Sequence, residues 1–198
     1  MSLFKAFLSS TCALLLTLGV NLSAQANWYL DGESSRLAFI TTQNANVSNM
    51  HRFLVLHGKV DRKGQAQLRI EMDSVNSAVP LRDERMRDQL FDFKHFPEAR
   101  ITAQINLQPI NDLAPGAQLE LHLPVTVHLR DKQHTYEAEL LATRLDEHRF
   151  QVVTLEPLML QAEDFGVQSE LESLRKLAGL SAISFSVPVS AVLIFTAR

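Results

Sequence analysis

The chain has 198 residues, of which 46% are hydrophobic and 21% are charged. This is the composition of an ordinary globular domain, and it excludes a disordered tail and a fibrous repeat. The formal net charge of −3 gives no indication of the clustered basic face that binds nucleic acid. A single cysteine excludes a disulfide framework and a cysteine-rich zinc or iron–sulfur site.

The N-terminal residues have the pattern of an export signal. Lys5 is the only charged residue in residues 1–26, residues 6–20 are almost wholly apolar, and Ala-Gln-Ala at 24–26 has the form of a cleavage site. The apolar run has about 15 residues, fewer than the roughly 20 that a membrane-spanning helix needs. We therefore expect a cleaved signal peptide, a periplasmic mature protein and a single domain over residues 27–198.

Alternation of apolar and polar residues predicts strands along most of the mature chain. In residues 65–73, for example, Leu68 and Ile70 share one face while Arg69 and Glu71 share the other. In chain order, strands are predicted at residues 36–43, 52–61, 65–73, 100–108, 119–127, 135–142, 150–160 and 183–195.

The links between the predicted strands are short and rich in turn residues. Examples are Asp61–Gly64, residues 111–116, residues 130–132 and the pair Asp146-Glu147. Short links between strands with one apolar face favour an antiparallel meander. Eight such strands can close into a barrel whose interior is packed by side chains or holds one elongated ligand.

Two segments break the alternation and predict two short helices. Residues 80–90 place Leu81, Met86 and Leu90 at helix-compatible spacings among charges. Residues 168–180 place leucines on one stripe and end near Gly179. Both helices are expected to pack at the ends of the barrel or over one mouth.

No motif for nucleotide binding or acyl hydrolysis occurs in the chain. His122 and His128 lie six strand residues apart, roughly 20 Å, which is too far for one metal ion. His51 and His57 have the same spacing, so all four are expected to face solvent. Three adjacent carboxylate pairs are interpreted as solvated charges: Asp83/Glu84, Asp146/Glu147 and Glu163/Asp164. We therefore expect no catalytic residues, no metal site and no cofactor.

The first predicted helix offers a candidate site for an anion. Arg82 and Arg85 are three residues apart and share a helix face. Phe91, Phe93 and Phe96 follow directly. These aromatics either plug the barrel end as core or line the mouth of an apolar pocket beside a basic head-group site.

Three sequence blocks resemble the YceI-like family. Residues 77–97 read SAVPLRDERMRDQLFDFKHFP, which is similar to the family signature of a strand-end serine, an R-D helix, an F-D turn and an aromatic-proline pair. Residues 28–39, WYLDGESSRLAF, resemble its opening strand, and Asp-Phe-Gly at 164–166 resembles its D-F-G tripeptide. The resemblance implies an all-β fold, an eight-stranded antiparallel lipocalin-like barrel with two short helices. It also implies a lumen that holds a long apolar chain such as a polyisoprenoid, a quinone or a fatty amide, without catalysis.

The chain departs from the family pattern at several polar positions. Ser34 and Arg85 stand where the pattern usually has histidine, and Ala162 stands where it often has arginine. These departures bear on head-group recognition more than on fold.

The sequence thus predicts a periplasmic binding or carrier protein for a long-chain lipid of the polyisoprenoid, quinone or fatty-acid type. The alternative is a structural or interaction module whose barrel is fully packed and which binds a protein partner. No nucleic-acid partner and no stable membrane insertion are expected, and a homodimer is left open. The head group is assigned to Arg82 and Arg85. The predicted lumen residues are Phe39, Phe53, Val55, Phe91, Phe93, Phe96, Ile101, Leu121, Val125, Phe185 and Val187.

Overall fold

A computed structural model describes residues 27–44 and 46–198, so the predicted signal peptide lies outside the described residues. Twelve strand segments form one antiparallel sheet that closes on itself. The segments are β1 (Trp28–Leu30), β2 (Arg36–Gln43), β3 (Val47–Phe53), β4 (Leu56–Val60), β5 (Gln65–Glu71), β6 (Val75–Asn76), β7 (Glu98–Gln104), β8 (Gln118–Leu129), β9 (Lys132–Arg144), β10 (Arg149–Thr154), β11 (Leu158–Gln161) and β12 (Ser186–Ala197). The α-helices are α1 (Pro80–Arg85), continued by a π-helical turn over Met86–Phe91, α2 (Gln108–Asn111) and α3 (Gln168–Leu177), and short 3₁₀ helices lie at Met72–Ser74 and Ala162–Phe165.

The twelve segments make up eight barrel strands because four of the strands are interrupted. The pairs β1/β2, β3/β4, β5/β6 and β10/β11 each act as one strand, and the other four strands are continuous. The long strand β12 closes the ring, since it pairs with β10 and β11 on one side and with β2 and β1 on the other. The predicted eight-stranded antiparallel barrel is confirmed.

The alternating apolar residues point inward as the pattern predicts. Leu68 and Ile70 of β5 are buried, as are Leu123, Val125 and Val127 of β8. The residues between them stay at least partly accessible to solvent. The hydrophobic core therefore lines the inside of the barrel, and its position decides where a ligand can lie.

The second barrel strand is broken between β3 and β4. The Ser74 hydroxyl oxygen accepts hydrogen bonds from the backbone N–H groups of Leu54 and Val55, at 3.2 and 3.1 Å. These amides therefore turn away from the strand ladder, and both side chains are exposed. The prediction that Val55 lines the lumen is wrong, because alternation does not continue through the break.

The last strand begins three residues later than predicted. The Ser184 hydroxyl donates to the Ser186 carbonyl (2.9 Å) and accepts from the Ser186 N–H (3.1 Å), which bends the backbone at Phe185. Phe185 is exposed in this bend. Its predicted position in the lumen is wrong for the same reason as that of Val55.

Strand β7 ends at Gln104, and the predicted continuation to residue 108 is replaced by a turn into α2. Pro109 in the first turn of α2 cannot donate to a strand ladder. This third short helix is absent from the sequence prediction. It brings Leu107 and Ile110 beneath the barrel, where they close one end.

The turn at Asp61–Gly64 is confirmed, and its geometry explains the residue types. The Asp61 carboxylate accepts from the N–H groups of Lys63 and Gln65, at 2.8 and 2.9 Å. Gly64 has φ of +80°, and a Cβ there would lie 1.9 Å from the Ile105 carbonyl oxygen. Only glycine fits this position.

Both predicted helices pack over the opposite end of the barrel. The π-helical turn after α1 buries Met86 and Phe91 against the core and ends at Asp92 in the left-handed conformation. Helix α3 buries Leu171 over the same end. No helix in the described part of the chain has the length and apolar character needed to cross a membrane.

Candidate functional site

The barrel holds two apolar cavities, one behind the other. The inner cavity, of about 170 Å³, lies at the closed end against Trp28 and Phe150. Their rings meet edge to face at 4.8 Å, which seals that end with α2 beneath it. The middle cavity, of about 140 Å³, lies nearer the helices. Leu37, Ile101 and Val189 line both cavities, so the two cavities adjoin at these side chains.

A third, more polar cavity of about 340 Å³ opens between α1 and α3, and we call it the mouth. Thr41, Leu90 and Leu171 line both the mouth and the middle cavity. The three cavities therefore follow one another from the closed end to the helices. This arrangement suits a molecule with a long apolar tail and a polar head.

Six of the eleven predicted lumen residues line these cavities. They are Phe39, Phe53, Phe91, Ile101, Val125 and Val187. Each belongs to an inward-facing strand position, except Phe91, which ends the π-helical turn.

Three further predicted lumen residues pack elsewhere. Leu121 packs beside the inner cavity without lining it. Phe93 packs against the main core cluster beyond the π-helical turn. Phe96 lies under the Arg130 guanidinium, 5.7 Å from the ring centre. Of the three aromatics after α1, only Phe91 reaches the lumen, because Asp92 reverses the chain direction after it.

Arg82 and Arg85 both line the mouth. No ion pair formed within the described residues involves either of them. Asp83, next in sequence, is buried and accepts a hydrogen bond from the Ser77 N–H at 2.7 Å. The expectation that Asp83 is solvated is wrong, because it fixes the turn before α1. The structure thus places two cations without a carboxylate partner at the entrance of an apolar lumen.

His51 lies inside the barrel, so the expectation that it faces solvent is wrong. It is only 1% exposed, and its Nε2 lies 2.7 Å from the Thr41 hydroxyl oxygen. Its Nδ1 is buried without a hydrogen-bond partner among the described residues. Burial in the barrel, together with the positive charge of Arg82, lowers the pKa of His51 to about 4, while Asp83 opposes the shift. His51 is therefore neutral near pH 7.

Asn49 lies two residues before His51 on β3, so the two side chains share a strand face. The Asn49 Nδ2 is also buried without a partner among the described residues. Unpaired buried polar atoms are uncommon in folded proteins and call for a partner. The sequence prediction starts this strand at Arg52, whereas β3 begins at Val47. It therefore does not include the alternation of Asn49, His51 and Phe53, which marks these residues as inward.

The Asp-Phe-Gly block has a structural position beside the lumen. Asp164 accepts a hydrogen bond from the Tyr136 hydroxyl at 2.6 Å, and Phe165 is buried against Val127. Burial and the bond to Asp164 raise the pKa of Tyr136 above its ordinary value. The His134 Nδ1 lies 3.5 Å from the other Asp164 oxygen.

His57 and His122 lie on the outside of the barrel, as expected. His57 lies 2.8 Å from Glu71, and His122 lies 3.5 Å from Glu139, each pair being exposed. Among the described residues, no three histidine, cysteine or carboxylate side chains are grouped closely enough to hold a metal ion.

Comparison with known proteins matches this architecture. The model of the YceI-like domain family matches residues 28–195. A solved polyisoprenoid-binding domain from Saccharophagus degradans, implicated in plant cell wall breakdown, is 34% identical with a TM-score of 0.85, and the alignment covers 86% of this chain and 98% of that one. The structure of BcnA from Burkholderia cenocepacia is 16% identical with a TM-score of 0.61, over 83% of this chain and 98% of that one, and so supports the fold. No curated protein sequence gives a significant match. With the family model matched along nearly the whole described chain and a solved relative at this identity, the chain belongs to the YceI-like family.

Proposed function

We propose that this chain is a periplasmic carrier that holds the tail of a long-chain lipid in the barrel and its head group in the mouth. The observation that supports the proposal most directly is the series of two apolar cavities ending at a polar opening. The solved domain from Saccharophagus degradans, named for binding polyisoprenoids, supports a ligand of that class.

The affinity in this mechanism comes from burial of the tail. Each methylene that leaves water contributes roughly 0.8 kcal/mol, so a dozen contribute about 10 kcal/mol before ordering costs are subtracted. That is sufficient for binding without any covalent step, and release needs only a competing apolar environment.

The head group is held by the polar residues of the mouth. Arg82 and Arg85 line the mouth and supply guanidinium donors without a carboxylate partner in the described structure. Oxygen atoms of a phosphate, carboxylate or carbonyl group are the acceptors that suit these donors. The favoured ligand is therefore a long isoprenoid or acyl chain that ends in an oxygen-rich head.

The alternative, a protein-interaction module with a fully packed barrel, is disfavoured by the cavities. A barrel built only for packing would fill space of this size with its own side chains, because interiors are close-packed.

Native mass spectrometry of protein purified from periplasm tests the proposal. The expected spectrum has the mass of a chain that begins at Asn27, with one lipid bound. Protein that carries no lipid, and takes none from a bacterial lipid extract, would contradict the carrier function. A retained Met1 would contradict the export prediction alone.

The head-group assignment has a matched control on the same segment. The double variant Arg82→Gln, Arg85→Gln removes both mouth cations, whereas Arg87→Gln removes a nearby cation that does not line the mouth. Hydrogen bonds to charged groups contribute roughly 1.5–3 kcal/mol each. The double variant should therefore bind a polyprenyl phosphate at least tenfold more weakly and the matching polyprenol about as well as wild type. An equal loss of affinity for both lipids, or no loss for either, would contradict the assignment.

A further inference from the structure

Apolar side chains are exposed around the mouth on both of its helices. Leu81 and Leu177 are 55% and 54% exposed, and Val79, just before α1, is 41% exposed. All three line the mouth together with Arg82 and Arg85. We call Val79, Leu81 and Leu177 the collar.

The collar is joined to the lumen by continuous apolar lining. On α3, Leu171, Leu174 and Leu177 lie three residues apart and all line the mouth, so one stripe runs from the buried core to the exposed end of the helix. Leu171 also lines the middle cavity. An apolar tail that leaves the lumen along this stripe therefore reaches the collar without crossing a polar surface.

The charges at the mouth are mostly positive. Arg82 and Arg85 line it, and Lys176 is exposed beside Leu177 at the end of α3. The neighbouring acids are turned elsewhere. Asp83 is bonded to the Ser77 backbone, and Glu172 is paired with Arg175 at 2.8 Å.

The exposed acids of α1 and the turn after it lie off the mouth. Glu84 and Asp88 are four residues apart and share one helix face. Neither lines the mouth, whereas Leu81 and Arg85, also four apart, both do.

We propose that the collar docks this end of the barrel onto a bilayer containing anionic phospholipid, so that the lipid ligand passes between membrane and lumen without entering water. The leucines enter the boundary between head groups and acyl chains, and the three cations meet the anionic head groups. The inference rests on the proposed function only in taking the mouth as the ligand's route. Docking itself requires no bound ligand.

Vesicle flotation with the full mature chain, stripped of lipid, tests the docking. The vesicles are made of phosphatidylcholine alone or of equal parts phosphatidylcholine and phosphatidylglycerol. Wild type should float with the mixed vesicles and much less with the neutral ones. Raising the salt concentration should release it, because surface charges are screened within about 10 Å at 0.1 M salt.

Variants separate the apolar contribution of the collar leucines from the electrostatic contribution of the cations. Leu81→Gln with Leu177→Gln should weaken vesicle binding by about tenfold for each leucine, because roughly half of each side chain remains to be buried. Lys176→Gln should weaken binding to the mixed vesicles by about fivefold and leave neutral vesicles unaffected. The control Met159→Gln with Val192→Gln changes two exposed apolar residues of β11 and β12 that do not line the mouth, and it should float as wild type does.

Lipid content by native mass spectrometry distinguishes this proposal from the carrier function. Lys176→Gln changes a residue that does not line the mouth, so it should keep its lipid while floating less with mixed vesicles, and that result supports docking as a separate property. Wild type that fails to float with mixed vesicles, or a collar variant that floats equally well, overturns the docking. A collar-dependent dimer in sedimentation, with no vesicle binding, overturns it in favour of a second copy of the chain.

Discussion

Val189 lies at the boundary between the inner and middle cavities, and enlarging it should divide the lumen. In Val189→Phe the added ring enters empty space that both cavities share. A lipid tail would then reach the middle cavity but not the inner one. Val192→Phe is the matched control, since the same change on the same strand falls on an exposed, outward-facing position.

The magnitude follows from the volume that the tail can no longer fill. An empty apolar cavity costs roughly 24 cal/mol per Å³. For an inner cavity of about 170 Å³, this corresponds to about 4 kcal/mol, or up to about three orders of magnitude in Kd. Shorter tails that end in the middle cavity should lose little affinity, so the loss should grow with tail length.

Trp28 provides the assay because it is the only tryptophan and lines the inner cavity. A lipid brominated near the end of its tail should quench Trp28 fluorescence in wild type and in Val192→Phe. It should not quench it in Val189→Phe. Circular dichroism and the thermal midpoint check that both variants fold. A folded Val189→Phe protein whose Trp28 is quenched as in wild type would refute the continuous lumen.

Three further predictions concern stability. The folded pKa of His51, about 4, lies below the ordinary 6.5, so only the unfolded chain takes up this proton as pH falls from 6.5 towards 4. Between pH 7 and pH 5 the free energy of unfolding should therefore drop by about 2 kcal/mol more in wild type than in His51→Gln. Urea titration at both pH values measures this difference, and an equal drop in the two proteins would contradict the prediction. Gly64→Ala should lower the free energy of unfolding by more than about 1 kcal/mol, because the new Cβ meets the Ile105 carbonyl at positive φ, and an unchanged thermal midpoint would count against it. Tyr136→Phe should lower the free energy of unfolding by about 1–3 kcal/mol, because Asp164 loses its 2.6 Å hydrogen bond. A urea titration that matches wild type would contradict this and show that water replaces the hydroxyl.

The barrel and part of its lining follow from the sequence pattern. Alternation with period two depends only on the pleat of a strand, so it identifies inward residues such as Val125 and Val187 wherever a strand is continuous. The alternation does not hold at Val55 and Phe185. There the hydroxyls of Ser74 and Ser184 form hydrogen bonds with the backbone and interrupt the strand. Ser74 lies 20 and 19 residues after its partners Leu54 and Val55, so the alternation pattern does not predict these hydrogen bonds.

The sequence could not predict which polar groups meet at the mouth. Arg82 and Arg85 could be grouped from the sequence because they lie on one helix, but His51 comes from a strand that neighbours them only after the barrel closes. The burial of His51 is a property of the assembled walls, and so is its lowered pKa, since desolvation depends on what surrounds the ring. Whether the lumen is filled or hollow also depends on how side-chain volumes from all eight strands add up. Inward apolar residues look the same in a sequence whether they contact each other or surround a cavity.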